Sequence, residues 1–339
     1  MKSSAFGTPL FWGIIMKSSD SNTIAETHEM RSDEFDELAD LMVLAFKNSI
    51  EEDRIDVHEL QKLMKKLQTP AYKVLQRVLG IRTEFYVSEV ENTIASGIQL
   101  DIRKDEVYVS NIMTHPNYRH QGLARALLHL SFRRARELNK KKVRLDARAD
   151  NTNAVSLYSS EGFETTYHTG RFELDSIGII DNTSNELIIR EVNKTKTSDI
   201  DPMLNDCFPA QHLEAIGRAK FLKRYIPSRA LRFFARKLGG QLIHTYVFCK
   251  AGEKRDRGII QTSQSKFEPQ ISISSPILFE RDNDFLLEVI PKILKIESSY
   301  QGITTATITC SMHRTDTISK IERLGFRKVR EGVSMTIRL

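Results

Sequence analysis

Two short stretches of this chain carry residue types and spacings that can do chemistry. The first is His115-Pro116-Asn117-Tyr118-Arg119-His120-Gln121-Gly122-Leu123-Ala124-Arg125, in which Arg-x-x-Gly-x-Ala runs from Arg119 to Ala124. Gly122 and Ala124 leave the main chain open to close approach, and Arg119 sets a cation beside it. If a helix starts here, its first-turn N–H groups and the positive end of its dipole can hold an anionic pyrophosphate, as a nucleotide-like cofactor would require. The second stretch is Asn151-Thr152-Asn153-Ala154-Val155-Ser156-Leu157-Tyr158, followed by Gly162-Phe163. Ala154, Leu157 and Tyr158 fall on one helical face, Asn151 sits at the helix start as a cap, and Gly162 stops the helix.

The elements around these stretches have to position them. Glu106 to Thr114 is rich in β-branched residues and reads as a strand, and Leu123 to Leu138 has apolar positions at helical spacing. Lys142 to Ala149 reads as a second strand, one helix away from the first, and Phe163 opens a third. The order is strand, phosphate turn, helix, strand, helix, strand.

With Ile112-x-Thr114-x-Pro116 leading into Arg119-x-x-Gly122-x-Ala124, and Asn-x-x-Ala-x-x-Leu-Tyr-x-x-x-Gly-Phe after the second strand, the chain resembles the GNAT superfamily of acyl-coenzyme A dependent N-acyltransferases. The resemblance runs from about Thr83 to Leu174, with Thr23 to Phe46 as the family's first strand and helix and Lys47 to Leu79 as its substrate-binding interval. It implies that the amides of Gln121, Gly122, Leu123, Ala124 and Arg125, with Arg119 and His120 beside them, hold the pyrophosphate of coenzyme A. Ile112, Met113 and Thr114 would pair with the pantetheine arm like an added strand. Asn151 and Ala154 would contact that arm, and Tyr158 would also touch the cofactor and protonate the departing thiolate. The implied reaction is direct attack of an amine on a thioester, without an enzyme nucleophile or a metal. Such catalysis needs an acid and a base, and orienting two bound reactants supplies up to about 7–11 kcal/mol. The base stays unassigned: the first strand offers Tyr108, Ser110 and Asn111, none a carboxylate, while Glu106 and Asp146 read as solvated or structural charges. A water relayed by backbone carbonyls is the substitute.

A chain of 339 residues is long enough for two domains. We expect an N-terminal tail over 1–22, mobile or loosely docked, with Met16 as an alternative start; a catalytic GNAT domain over 23–180; and a degenerate GNAT-like domain over 185–339. The boundary is set at the turn cluster Asp181-Asn182-Thr183-Ser184. Beyond it the order restarts: strand Glu186–Val192, short helix Ser198–Cys207, strands Gln241–Lys250, Arg257–Ser263 and Pro269–Phe279, helix Asn283–Ser298, strand Thr304–Cys310 and helix Thr315–Arg323 before Leu324-Gly325-Phe326. Pro276 to Asp284 carries Glu and Asp where the phosphate turn belongs, and Ile321 stands at the tyrosine position. This repeat would shape the acceptor pocket or stabilise the first domain. The fold class is α/β (α+β), two tandem GNAT-like domains, each a mixed, mainly antiparallel sheet flanked by helices.

Composition narrows the remaining classes. A 40% apolar fraction with no apolar run long enough to span a bilayer fits a cytoplasmic globular protein. Cys207, Cys249 and Cys310 are sparse and lack ligand spacing, so they read as buried small hydrophobes, and no metal is indicated. The net charge of +6 is too modest to suggest DNA. Arg133 to Arg144 is a basic cluster, either a solvated face or a surface for an acidic partner. Phe221 to Leu238 interleaves Arg and Lys with aromatics and is broken by Pro227: a core-facing helix with a charged outer face, or a surface for an acidic group, a membrane or RNA. The leading function is acetyl-coenzyme A dependent N-acetylation of a primary amine on a small molecule or a protein. The alternative is a non-catalytic coenzyme A or acyl-coenzyme A sensor, or a partner-binding tandem protein. Acyl chain length and oligomeric state are open.

Overall fold

The computed structural model describes residues 14–17, 24–52, 82–177, 187–193, 197–238, 241–265, 270–299 and 303–339, with 57, 58, 61, 62, 65, 69, 70, 72, 74, 76 and 80. The chain divides into two compact units, Met1–Leu145 with Ile337–Leu339, and Asp146–Thr336. The cluster Asp181–Ser184 lies outside the described residues. The strand Glu164–Leu174 hydrogen-bonds along its length to Thr305–Ser311 and to Arg327–Arg338, partners that no local pattern announces.

In the first unit, strands β1 (Ile14–Lys17), β2 (Ile24–Glu29), β3 (Arg82–Val90), β4 (Thr93–Ile102), β5 (Val107–Thr114) and β6 (Lys142–Arg148, crossing the unit boundary) lie in that order. Pairing is antiparallel up to β5 and parallel between β5 and β6. Part of the expected tail is therefore a strand; residues 1–13 and 18–23 lie outside the described residues. The β3–β4 hairpin turns through Glu91 and Asn92, both at positive φ, as tight hairpins require. Helix α1 (Phe35–Ala45) lays Leu38 and Leu41 on Val87, Ile94 and Met113. A Cβ at Gly97 would sit 2.6 Å from Leu38 Cδ1, so glycine is what lets α1 approach β4. Helix α2 (Lys47–Glu52) follows α1.

Helix α3 (Leu123–Glu137) lies on the opposite face of the sheet. Successive strand residues alternate faces: Phe85 and Val87 face α1, and Glu84 and Tyr86 face α3. Arg134 grips Glu84 with two bonds, Nε to Oε2 at 2.8 Å and Nη2 to Oε1 at 2.9 Å, while Tyr86 donates its hydroxyl to Oε2 at 3.0 Å. Glu84 is buried, and desolvation raises its pKa, yet the bond and charge of Arg134 bring it below the ordinary carboxylate value.

The second unit contains α4 (Thr152–Ser160), β7 (Glu164–Leu174), β8 (Leu187–Glu191), the helices α5 (Thr197–Ile200), α6 (Leu204–Cys207), α7 (Ala210–Ile216), α8 (Arg218–Tyr225) and α9 (Arg229–Leu238), then β9 (Gln241–Lys250), β10 (Gly258–Ser265), β11 (Gln270–Ile273), β12 (Ile277–Leu278), α10 (Leu286–Ser298), β13 (Thr305–Ser311), α11 (Thr315–Arg323) and β14 (Arg327–Arg338). Its strand order is β14-β7-β13-β11-β10-β9-β8, with β12 on β10; only β11 and β13 are parallel. Leu286, Val289, Ile290, Ile293 and Leu294 of α10 pack on Tyr246, Phe248, Ile260, Ile271 and Ile308. All three cysteines are buried and unbridged.

A clamp like that of Glu84 and Arg134 recurs here with its charge reversed. Glu297, the twelfth residue of α10 as Arg134 is of α3, takes both carboxylate oxygens to His244 Nδ1, at 3.0 and 3.1 Å. Tyr246, two residues after His244 as Tyr86 is after Glu84, donates to Glu297 at 3.0 Å, and so does Thr262. The two halves share a strand-to-helix polar tie whose acid and base have changed places.

The basic segment 221–238 forms the end of α8 and all of α9, broken at Pro227 as expected. Its inner side is tied down: Arg232 donates to the Val192 carbonyl at 3.0 Å and to Thr245 Oγ1 at 3.1 Å. Phe221, Leu222 and Tyr225 are buried, while Arg229, Arg236, Lys237 and Phe233 are exposed. This is the charged outer face of a core-facing helix pair. No described helix is long and apolar enough to cross a membrane.

Candidate active site

β5 and β6 pair only at Val107–Val143, Tyr108–Arg144 and Val109–Leu145. Beyond Val109, β5 continues beside β4 through Ile98–Ile112, Gly97–Met113 and Ser96–Thr114, and no further β6 partner follows among the described residues. Ser110 is the extra residue of a bulge, since Leu100 pairs with Val109 and Gln99 with Asn111; a bulge bends its strand and re-aims side chains. His115 N–H donates to the Ala95 carbonyl at 2.9 Å. In an antiparallel ladder alternate residues aim their N–H and C=O groups to opposite sides. Met113 therefore faces β4, where its carbonyl accepts Ser96 Oγ at 2.6 Å, and Ile112 and Thr114 face the open edge. Of the expected trio, Ile112 and Thr114 direct their backbone groups to the open edge, whereas Met113 faces β4 and buries its side chain against Leu38.

The turn that follows gathers amides. Pro116–Tyr118 form one 3-10 turn, with His115 Nδ1 accepting from Asn117 N–H at 3.2 Å. His120 at φ 63° and Gly122 at φ 80° both take positive φ, the kind of turn backbone whose N–H groups form anion-binding concavities. Gly122 is the N-cap of α3 and supplies no side-chain cap. A Cβ there would meet nothing within 4 Å, so what the glycine supplies is its left-handed φ and a clear approach to the first-turn amides of Leu123, Ala124 and Arg125. Leu123 anchors the turn against Ala25, Val90 and Ala95, with Tyr118 beside it. Arg119, His120 and Arg125 are exposed, and Gln121 and Ala124 are half-buried.

On the face of the sheet that carries α1 lies a row of polar groups. Gly97, Gln99 and Asp101 of β4 alternate onto that face, with Asn111 and Tyr108 opposite Gln99 and Asp101. Ser110 Oγ donates to Asp101 Oδ2 at 2.6 Å, Thr83 Oγ1 to Asp101 Oδ1 at 2.9 Å, and Asn111 Nδ2 to Gln99 Oε1 at 2.8 Å. Asp101, a carboxylate not among the sequence candidates, lies opposite the paired part of β5 and is hydrogen-bonded to Ser110, the residue at which the edge opens. The signal was available: the Arg103-to-Glu106 turn fixes the hairpin register that brings Asp101 opposite Tyr108. Glu106 is fully buried in ion pairs with Arg103 at 3.2 Å and Arg144 at 3.4 Å, a structural charge. Among the described residues one trio, His28, Glu34 and Glu89, comes close enough to hold an ion, and Arg31 already ion-pairs both carboxylates there.

The second motif lies in the other compact unit. Asn151 caps α4, its Oδ1 accepting from Ala154 N–H at 3.2 Å. Gly162 ends the helix at φ 88°. Tyr158 is buried with its ring 6.0 Å from that of Phe163, and burial pushes its hydroxyl up to about 12, so it remains a proton donor throughout the physiological range. Asp146 accepts a short hydrogen bond from Ser334.

The matching place in the second repeat is filled by the chain itself. Ile277–Ile259 and Leu278–Gly258 stand where Met113–Gly97 and Thr114–Ser96 stand in the first, which puts Pro276, with no N–H, at the position of Ile112. Arg314 caps α11 with nearly the backbone angles of Asn151 (φ −95°, ψ 70° against −80°, 69°). It is buried, donating to the Pro276 carbonyl at 3.1 Å and to Asn283 Oδ1 at 2.6 Å. Of the acids expected to repel phosphate, Asp282 pairs with Arg257 and Asp284 with Lys320.

Residues 51–163 match the model of the acetyltransferase (GNAT) family. No curated protein matches the chain. Among solved structures, the fold is similar to a tandem GNAT protein from the clavulanic acid biosynthesis pathway (12% identity, 93% of this chain and 98% of that one, TM-score 0.59). It is also similar to a GCN5-related N-acetyltransferase from Sphaerobacter thermophilus (13% identity, 93% and 95%, TM-score 0.57). A third likeness is to the glucosamine N-acetyltransferase region of a fungal multi-domain β-N-acetylglucosaminidase (10% identity, 94% and 38%, TM-score 0.60). At such identities the structural likeness speaks for the fold, which is that of tandem GNAT proteins, and the family match is that of residues 51–163 to the acetyltransferase (GNAT) family.

Proposed function

We propose that this protein transfers an acetyl group from acetyl-coenzyme A directly to a primary amine, with residues 23–180 as the catalytic repeat and 185–339 as a repeat that binds no acyl donor. The observation that carries the reading is the open edge of β5: two outward-facing backbone positions, Ile112 and Thr114, lead straight into a left-handed, uncapped helix start. An extended amide chain ending in a pyrophosphate fits that order of donors. In this reading the amides from Gln121 to Arg125 hold the pyrophosphate, with Arg119 and His120 beside them, and Ile112 and Thr114 align the thioester arm.

In this reading Asn151 and Ala154 are assigned to contact that arm, and Tyr158 is the acid that protonates the leaving thiolate. Its high pKa supports a group that is always protonated when sulfur departs. Pro276 and Arg314 support a donor site confined to the first repeat. Thiol release from acetyl-coenzyme A is the test, measured with spermidine, glucosamine and a lysine-bearing peptide. Release that depends on an amine supports transfer. Binding of acetyl-coenzyme A without release for any amine would favour the sensor reading instead.

A further inference from the structure

We propose that Ser110 and Asp101 form the proton relay that serves as general base, with Ser110 as the catalytic hydroxyl and Asp101 as the residue that positions it and finally takes the proton; this rests on the transferase reading above. Three observations converge on the pair. Ser110 is the first β5 residue beyond the last β6 partner, Val109, so its hydroxyl stands where the edge opens. It is also the bulged residue, and its Oγ is aimed at Asp101 Oδ2, 2.6 Å away. Finally, the polar row that contains the pair lies on the α1 face, next to the interval expected to bind the acceptor. From that interval Gln76 Nε2 donates to Thr83 Oγ1 at 2.8 Å, and Thr83 holds Asp101 Oδ1.

The carboxylate is held rather than solvated. Thr83 and Ser110 each donate to one of its oxygens, and Gln99 lies 3.5 Å from Oδ1. The charged and titratable groups facing it are Arg103 on its own strand, 3.8 Å from Oδ2, Tyr108 opposite on β5, and Tyr72 of the acceptor interval. Burial raises the Tyr72 hydroxyl pKa, and the Asp101 charge adds to the rise.

In the step itself a neutral amine nitrogen forms the C–N bond to the thioester carbonyl. The nitrogen gives its proton to Ser110 Oγ while Ser110 passes its own to Asp101 Oδ2. Collapse breaks the C–S bond, sulfur takes the Tyr158 proton, and solvent returns a proton from Asp101 to Tyr158. The products are the amide and the free thiol, and no oxidant or further reactant is used.

The test uses the full-length protein and the best amine found above. Asp101→Asn and Ser110→Ala should each lower kcat by about 10²–10³-fold with acetyl-coenzyme A affinity unchanged. Because both break one relay, the double variant should be no slower than either single one. Ser110→Thr, which keeps a hydroxyl in a strand, should recover most of the rate lost in Ser110→Ala. Wild-type turnover in Ser110→Ala or in Asp101→Asn, or losses that multiply in the double variant, would each overturn the relay while leaving the transferase reading intact. A wild-type protein inactive with every amine would overturn both.

Discussion

The reversed clamp of the second unit makes a quantitative claim about Glu297. Its carboxylate is almost fully buried and accepts hydrogen bonds from His244, Tyr246 and Thr262. Glu297→Ala removes a carboxylate that accepts hydrogen bonds from the Tyr246 hydroxyl, the buried Thr262 hydroxyl and the half-buried His244. Each orphaned buried donor costs about 1–3 kcal/mol, and breaking a buried pair from one side costs about 3–5 kcal/mol in all. For a unit of this size that is a fall in melting temperature of about 6–20 °C. The pH dependence has two signs. Hydrogen bonding to Glu297 raises the His244 pKa, so that stabilisation is full below the unfolded value of 6.5 and fades as pH rises through the raised folded value. Glu297 is held below its ordinary 4.5 by His244 and the two hydroxyls, against its desolvation, so its stabilisation is present above 4.5 and fades as pH falls through the lowered value. Calorimetric melting of wild type from pH 4 to 9 should therefore peak between the two, and Glu297→Gln should flatten the curve. A Glu297→Ala protein melting with the wild type at pH 6, or an unflattened Glu297→Gln profile, would refute the reasoning.

Two further outcomes follow from the site. Tyr158→Phe should lower turnover by about 10²-fold or more while acetyl-coenzyme A still binds in calorimetry, and with its hydroxyl held near 12 the tyrosine should impose no alkaline limb on the wild-type rate below about pH 10. Arg314→Ala should destabilise the protein by about 1–3 kcal/mol in urea unfolding, by removing the buried donor to the Pro276 carbonyl and to Asn283 Oδ1, yet titrate with one acetyl-coenzyme A per chain, because Pro276 still lacks the N–H that Ile112 supplies.

Much of the site could be read in the sequence because its chemistry is local. Gly122 and His120 form a turn whose donors are backbone amides, and the strand before it and helix after it follow from alternation and helical spacing. The strand Gln241–Lys250 and the helix Thr315–Arg323 fall where their patterns place them. The expected single strand Pro269–Phe279 instead breaks into β11 and β12, as Pro276 interrupts the ladder. What was not legible depends on pairing at a distance. The attachment of β7 to β13 and β14 leaves no trace in any window of sequence. Asp101 was passed over because a carboxylate was sought on β5, and the base candidate arrives from β4 across a bulge. Arg314 is buried by bonds to Pro276 and Asn283, partners 38 and 31 residues away in the chain.

The central claim is that one acyl donor binds where β5 leaves β6, with its pyrophosphate on the amides after Gly122. Titration of acetyl-coenzyme A into the full-length protein, alongside Gly122→Glu, tests it most directly. Nothing lies within 4 Å of a Cβ at that position, so the variant should fold with only the left-handed strain of about 1–2 kcal/mol. The account predicts one site per chain in the wild type and no binding in the folded variant. Two sites per chain, or undiminished binding to Gly122→Glu, would contradict it.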